Sequence, residues 1–182
     1  MFNTLVRLLA ALTLCLASAA TQAAFISLIP STLTPAQGEI FSFDVVVRGA
    51  LDEAVAFGFD ITNSAPGIAS FVSATVAAPF DDDSALFAGT DVAGSAFPGV
   101  TGDPILLATL KFQAPIAGTV DLGVFSDVTG DPNEGVFFAL DPRLDLTSHV
   151  RIQVQAIPEP SSHLLLVAGL LGLAAITILR RG

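Results

Sequence analysis

An all-β sandwich is what the middle of this chain predicts, and three observations carry that reading. Apolar residues recur at every second position in several segments, turn-forming clusters separate those segments, and no stretch between them shows a convincing amphipathic helical period. Phe41, Phe43, Val45 and Val47 alternate with Ser42, Asp44 and Val46, as a half-buried strand requires. Val55, Phe57, Phe59 and Ile61 repeat the pattern against Ala54, Ala56, Gly58 and Asp60. Further strands are predicted over 71–76, 105–112, 119–125, 136–140 and 149–154; in the last, Val150, Ile152 and Val154 point inward and His149, Arg151 and Gln153 outward. Arg48-Gly49, Asn63 to Gly67, Gly102-Asp103-Pro104, Pro115 to Gly118 and Asp141-Pro142 supply the turns. The segment 77–100, rich in Ala, Gly and Asp, is expected as a long loop with a short strand near Leu86-Phe87. Short strands at this spacing bury their apolar sides most readily as two facing sheets.

The two ends have a different character. Arg7 precedes an apolar stretch, Leu8 to Ala17, and then the small-residue region Ala17 to Ala24. This is the layout of a secretory signal peptide. Ala17-Ser18-Ala19 and Thr21-Gln22-Ala23 both suit signal peptidase, so the mature start falls between Ala20 and Phe25. Cys15 follows Leu14 rather than the small residue a lipoprotein site needs, and it leaves with the signal. At the other end, Ile157-Pro158-Glu159-Pro160-Ser161-Ser162 leads into an apolar run from Leu164 to Leu179, closed by Arg180-Arg181-Gly182. The 16 residues of that run make a helix of roughly 24 Å against a hydrocarbon core of ~30 Å, with the two arginines placed to snorkel to the interface. The chain therefore divides into a signal peptide (1–24), a β-sandwich domain (25–156) and a tail (157–182) with a transmembrane helix over 164–179.

Between its ends the chain sets four cations, Arg48, Lys111, Arg143 and Arg151, against sixteen carboxylates, a net charge of −12. Such a surface repels nucleic acid and anionic lipid. The domain has no cysteine, so packing alone must hold it after export. Catalysis finds few parts: the domain holds one histidine, His149, on the outward side of a strand, and no cysteine or tyrosine. No catalytic residue is assigned. Asp127, Asp131, Asn133 and Glu134 place four oxygen-bearing side chains in one turn-rich segment. Two readings fit them: a calcium loop, or a polar turn whose Asp and Asn serve turn chemistry. Against calcium, the spacing misses the usual alternating-aspartate pattern and Pro132 interrupts it. Asp81-Asp82-Asp83 reads as a solvated acidic loop. The chain has fourteen Phe and neither Trp nor Tyr, so a sugar-stacking platform lacks its usual residues. Phe80, Phe87 and Phe97, in the irregular segment, are the phenylalanines expected to be exposed.

Two resemblances add to this. Pro158-Glu159-Pro160, the apolar stretch and the terminal Arg180-Arg181 resemble the PEP-CTERM sorting signal of Gram-negative bacteria, with His163 a departure where that signal is usually apolar or small. The resemblance implies processing by an exosortase, a membrane cysteine protease, and delivery to the surface or matrix, often alongside exopolysaccharide and biofilm. In the middle, Ile26 to Pro30, Gly38 to Val45, Phe57-Gly58-Phe59-Asp60, Leu107 to Phe112 and Ala117-Gly118 resemble a cohesin-like domain. That family is a jelly-roll β-sandwich related in shape to carbohydrate-binding modules. Cohesins proper bind dockerins, and no calcium-loop dockerin pattern occurs within this chain.

The function expected is that of an exported structural or adhesive protein, held first as an inner-membrane precursor and then placed at the cell envelope, surface or matrix. The alternative is a binding module for a polysaccharide or a dockerin-like partner. Pro158 and Pro160 bias their neighbours toward the extended geometry a protease substrate presents. Deleting Arg180-Arg181 is expected to leave the longer precursor in the inner membrane of the native host, while the wild type loses both ends and leaves that membrane. Intact mass on fractionated cells reads the difference.

Overall fold

The computed structural model describes residues 23–157. The expected signal peptide, the transmembrane helix at 164–179 and the sorting residues Pro158, Glu159, Pro160, Arg180 and Arg181 lie outside the described residues. Among those described, no helix is long and apolar enough to cross a membrane.

Ten strands form: β1 (Phe25–Pro30), β2 (Ile40–Arg48), β3 (Ala54–Asn63), β4 (Ser70–Val76), β5 (Asp81–Asp82), β6 (Val92–Val100), β7 (Ile105–Gln113), β8 (Gly118–Phe125), β9 (Gly135–Phe138) and β10 (Ser148–Val154). One sheet runs β1-β2-β7-β4; the other runs β10-β8-β3-β6-β5, with β9 also on β3. Every pairing between these strands is antiparallel. The result is the expected jelly-roll sandwich. Strand β3 is its hub. Its first half pairs with β6 on one edge and β9 on the other, and its second half, from Asp60 to Asn63, pairs with β8.

The core lies between the sheets and is built from the alternating residues of the facing strands. Phe41, Phe43, Val45 and Val47 of β2 face Phe112, Leu110, Ala108 and Ile105 of β7, all buried. Phe112 is its centre: its ring stacks on Phe43 at 5.4 Å and Phe41 at 6.0 Å and meets the edge of Phe71 at 5.7 Å. In the other sheet Phe57 and Phe59 lie 5.9 Å apart, and Phe80 meets Phe57 edge-on at 5.2 Å. The chain enters β2 through Gly38, whose φ of +87° suits glycine and whose N–H donates to the Ala114 carbonyl at 2.6 Å. The turn after β3 is fastened by Asn63, which accepts from Ala65 N at 3.0 Å and donates to the Ala69 carbonyl at 2.7 Å.

The seven strands predicted by alternation all form, and the structure corrects five local expectations. The segment 77–100 is not a long loop, because Val92–Val100 is an inner strand between β3 and β5. Its Ala-Gly-Ser-Ala composition has weak strand propensity, but Gly94 lies opposite Phe57, where an added Cβ would stand 2.9 Å from the ring. Packing, not propensity, makes this strand. Leu86 sits in a 3-10 turn, Ser84–Leu86, instead of a strand, and Asp81-Asp82 form β5 instead of a loop. In β3 an irregularity at Val55 shifts the alternation, so Ala54 is buried where Val55 was expected. Phe80 is buried, not exposed.

Replacing Phe112 with Ala removes the ring three other phenylalanines rest on. A loss of about 3–5 kcal/mol of unfolding free energy is expected from urea denaturation. A loss under about 1 kcal/mol would mean the core is not organised around this ring.

Candidate binding face

On the β1-β2-β7-β4 sheet, alternation turns Ser42, Asp44, Thr109, Lys111, Ser73 and Thr75 outward, with Asp44 accepting from the Thr109 hydroxyl at 2.6 Å, and the same sheet exposes Phe25, Ile29, Val72 and Leu106. On the other sheet the outward residues around β3, β6 and β9 are small or aromatic, while β8 and β10 carry Thr119, Asp121, His149, Arg151 and Gln153. Register places Ala56 beside Ser95 and Phe137, Gly58 beside Ala93, and Asp60 beside Phe125. Phe97, two positions on from Ser95, is 102% exposed.

A cavity of about 300 Å³ opens on this second face. Ala56 and Ser95 line its base on two neighbouring strands; Phe87, Phe137, Asp83 and Asn133 line it from the surrounding turns and β9. Asp83 accepts the Ser95 hydroxyl at 2.5 Å. Beside it, Asp82 accepts from the Ser84 hydroxyl at 2.7 Å and backbone N–H at 3.0 Å, and these bonds hold its carboxyl below the usual aspartate range. Sequence reading anticipated Phe87 and Phe97 as exposed and missed Phe137. The signal was present: Phe137 and Phe138 are consecutive in one strand, so their rings must point to opposite faces.

The segment from Ser126 to Gly135 forms one wall. Asp127 Oδ1 accepts from Gly130 N at 2.8 Å, Thr129 Oγ1 at 2.9 Å and Thr129 N at 3.2 Å, and these bonds lower its pKa. Asp131 Oδ1 accepts from Asn133 N at 2.7 Å, and the buried Glu134 accepts from Asp127 N. Asn133 also lines the cavity. Among the described residues, no three His, Cys, Asp or Glu side chains gather in a way that can hold a metal ion. The loop's carbonyls have a partner of their own: the Arg143 guanidinium donates to Val128 O, to Pro132 O at 3.1 Å and to Asp131 O at 3.2 Å, and stands 5.4 Å over the Phe137 ring. Gly58 lets this wall lie against β3, since a Cβ there would stand 2.3 Å from the Asn133 carbonyl oxygen. His149 is exposed on β10 as expected. Its neighbour Arg151 grips Asp121 at 2.8 and 3.0 Å, the ion pair found among the described residues.

No family model matches the chain, and no curated protein matches it in sequence. Solved structures do match, cohesin modules among them. A cohesin module from a Clostridium perfringens family 33 glycoside hydrolase aligns at 11% identity over 74% of this chain and 96% of its own, with a TM-score of 0.52. A type III cohesin from the cell-surface anchoring scaffoldin ScaE of Ruminococcus flavefaciens aligns at 17% identity over 72% and 87%, TM-score 0.53. The cohesin CaCohA2 of Clostridium acetobutylicum aligns at 15% over 72% and 90%, TM-score 0.51. At these identities the likeness is one of fold: the described domain has the cohesin sandwich.

Glu134 gives the wall a pH dependence. It is 3% exposed, and burial raises its pKa; the Asp127 N–H opposes that, while the charges of Asp60, Asp131 and Asp127 add to it. The native state therefore keeps a proton that the unfolded chain has already released. Stability from this group is fully present below the ordinary glutamate value and is lost as pH rises through the raised one. Asp82, Asp121 and Asp127 act oppositely, losing stability as pH falls through their lowered values. Urea melts from mildly acid to neutral pH are expected to show wild-type stability falling on the neutral side. Glu134→Gln is expected to flatten that fall and leave the acid side unchanged. An equal slope in both proteins would remove Glu134 as the cause.

Proposed function

We propose that this domain is a docking module presented at the cell surface or in the extracellular matrix, with the outer face of the β10-β8-β3-β6-β5 sheet as its contact surface. The observation that supports it most directly is the concave spot on this face: the Phe87–Phe137 cavity, floored by Ala56 and Ser95, with Phe97 and Phe125 exposed on the same sheet. Aromatic side chains around a concave spot with a polar rim are what a binding hot spot needs. The role proposed is binding without turnover. The cohesin-type fold supports the same reading, because it is used in a cell-surface anchoring scaffoldin. Cohesins bind dockerins, and a dockerin-like protein is the partner class this reading favours; a polysaccharide is the second. Export by signal peptidase and sorting by an exosortase through Pro158-Glu159-Pro160 and Arg180-Arg181 bring the module to where such partners are. At the C-terminal end of β10, Gln155 pairs with the segment at Pro35–Gln37, so the last strand is tied to the sandwich up to Gln155.

Mature protein recovered from its host and immobilised is expected to retain specific partners from the host's own surface fraction. Phe97→Ala with Phe125→Ala is expected to weaken retention by about tenfold or more, and Lys111→Gln on the opposite sheet to leave it unchanged. Equal loss from both faces, or retention untouched by either, would overturn the assignment of the face. Retention of purified exopolysaccharide in place of any protein would select the second partner class.

A further inference from the structure

The cavity between Phe87 and Phe137 has a chemistry narrower than general adhesion. Its charged lining group is Asp83. One of its oxygens accepts the Ser95 hydroxyl at 2.5 Å, and the other takes no hydrogen bond among the described residues, nor does the side-chain amide of Asn133. Asp81 and Asp82 precede it in β5, and none of the three is ion-paired among the described residues. The basic side chain of this region, Arg143, lines the adjacent cavity with Phe138 and Asp141 instead, and its guanidinium is committed to the carbonyls of Val128, Asp131 and Pro132. Its position 5.4 Å over the Phe137 ring also shows that this ring already accepts a guanidinium.

We propose that this cavity seats an arginine side chain projecting from a protein partner, with the guanidinium between the phenyl walls and on the Asp83 carboxylate. The inference rests on the reading of this face as a docking surface and names what it recognises. Two aromatic walls beside a carboxylate suit a planar, weakly hydrated cation better than a compact, strongly hydrated ammonium. Each carboxylate oxygen has a second lone pair, so Asp83 can keep Ser95 and still accept from the guanidinium. Asn133 adds an acceptor for a third N–H. An anionic ligand is disfavoured by the β5 carboxylates. A second copy of the domain is disfavoured too, because four cations against sixteen carboxylates make two copies repel. Charge complementarity therefore points to a basic partner.

The test is an amide NMR titration of the full-length protein in neutral detergent micelles. The probe is the capped tripeptide Gly-Arg-Gly, compared with the same peptide carrying citrulline, which keeps the shape and removes the charge. The arginine peptide is expected to shift resonances of Phe87, Ser95, Asn133 and Phe137 in a saturable way. The citrulline peptide, and the arginine peptide on Asp83→Asn, are expected to bind about tenfold more weakly. Phe87→Ala is expected to do the same, and it keeps the test open should Asp83→Asn disturb the Ser95 contact; core resonances report whether each variant is folded. Equal binding of the citrulline peptide, no effect of either variant, or shifts elsewhere would overturn the proposal. So would saturation of these residues by chito-oligosaccharide without a response to arginine, which makes the cavity a sugar site. If the Phe97–Phe125 variant loses its partner while Asp83→Asn and Phe87→Ala keep it, the docking face stands and this inference alone fails.

Discussion

Strand β3 has to satisfy two neighbours along its first half, another along its second, and two environments across its thickness, and much of the molecule follows from that demand. Its inward residues are large: Phe57 and Phe59 fill the space under their sheet, and Phe57 fixes both Gly94 opposite it and Phe80 at its edge. Its outward residues are small: Ala56 floors the cavity, and Gly58 leaves room for the Asn133 carbonyl. A larger residue at either outward position would separate the wall from the sheet and fill the cavity. Core and binding face are thus two sides of one strand, and neither can change without the other.

The absence of any cysteine from the folded domain places the whole burden of cohesion on packing. Phe112, with Phe41, Phe43 and Phe71 around it, answers that in the first sheet. Excess negative charge is handled by local means. Asp52, Asp82 and Asp127 accept backbone or hydroxyl hydrogen bonds, Asp121 takes Arg151, and each is held in its ionised form. Arg143 plays a distinct part. One guanidinium collects three carbonyls from a turn rich in oxygen, which is the task a bound cation would otherwise perform.

Legibility varied from element to element for physical reasons. Strands β2, β7 and β10 were plain because one side faces the core and the other faces water, so alternation is written directly into residue type. Strand β6 was hidden because its neighbours require small residues on it, and small residues also signal loops. The shift at Val55 was hidden because a bulge changes which residue points inward without changing composition. Phe80 and Phe137 exchanged expectations for the same reason: a phenylalanine is equally suited to a core and to a binding wall, and its surroundings decide between them. Asp127, Asp131, Asn133 and Glu134 were recognisable as a polar loop. That Arg143, distant in sequence, would supply the loop's cation was not.

The sequence by itself determined the fold class, the lack of cysteine cross-links in the sandwich and its excess of negative charge. Each of these rests on local pattern or on simple counts, and such properties survive without knowledge of which segments meet. Only the tertiary structure decided that β3 pairs with β6, β8 and β9, that Phe87 and Phe137 stand across a floor of Ala56 and Ser95, and that Asp83 is the carboxylate left facing the space between them. Those facts depend on register between strands far apart in the chain. Register is fixed by the collective packing of the two sheets, not by any one segment's own residues.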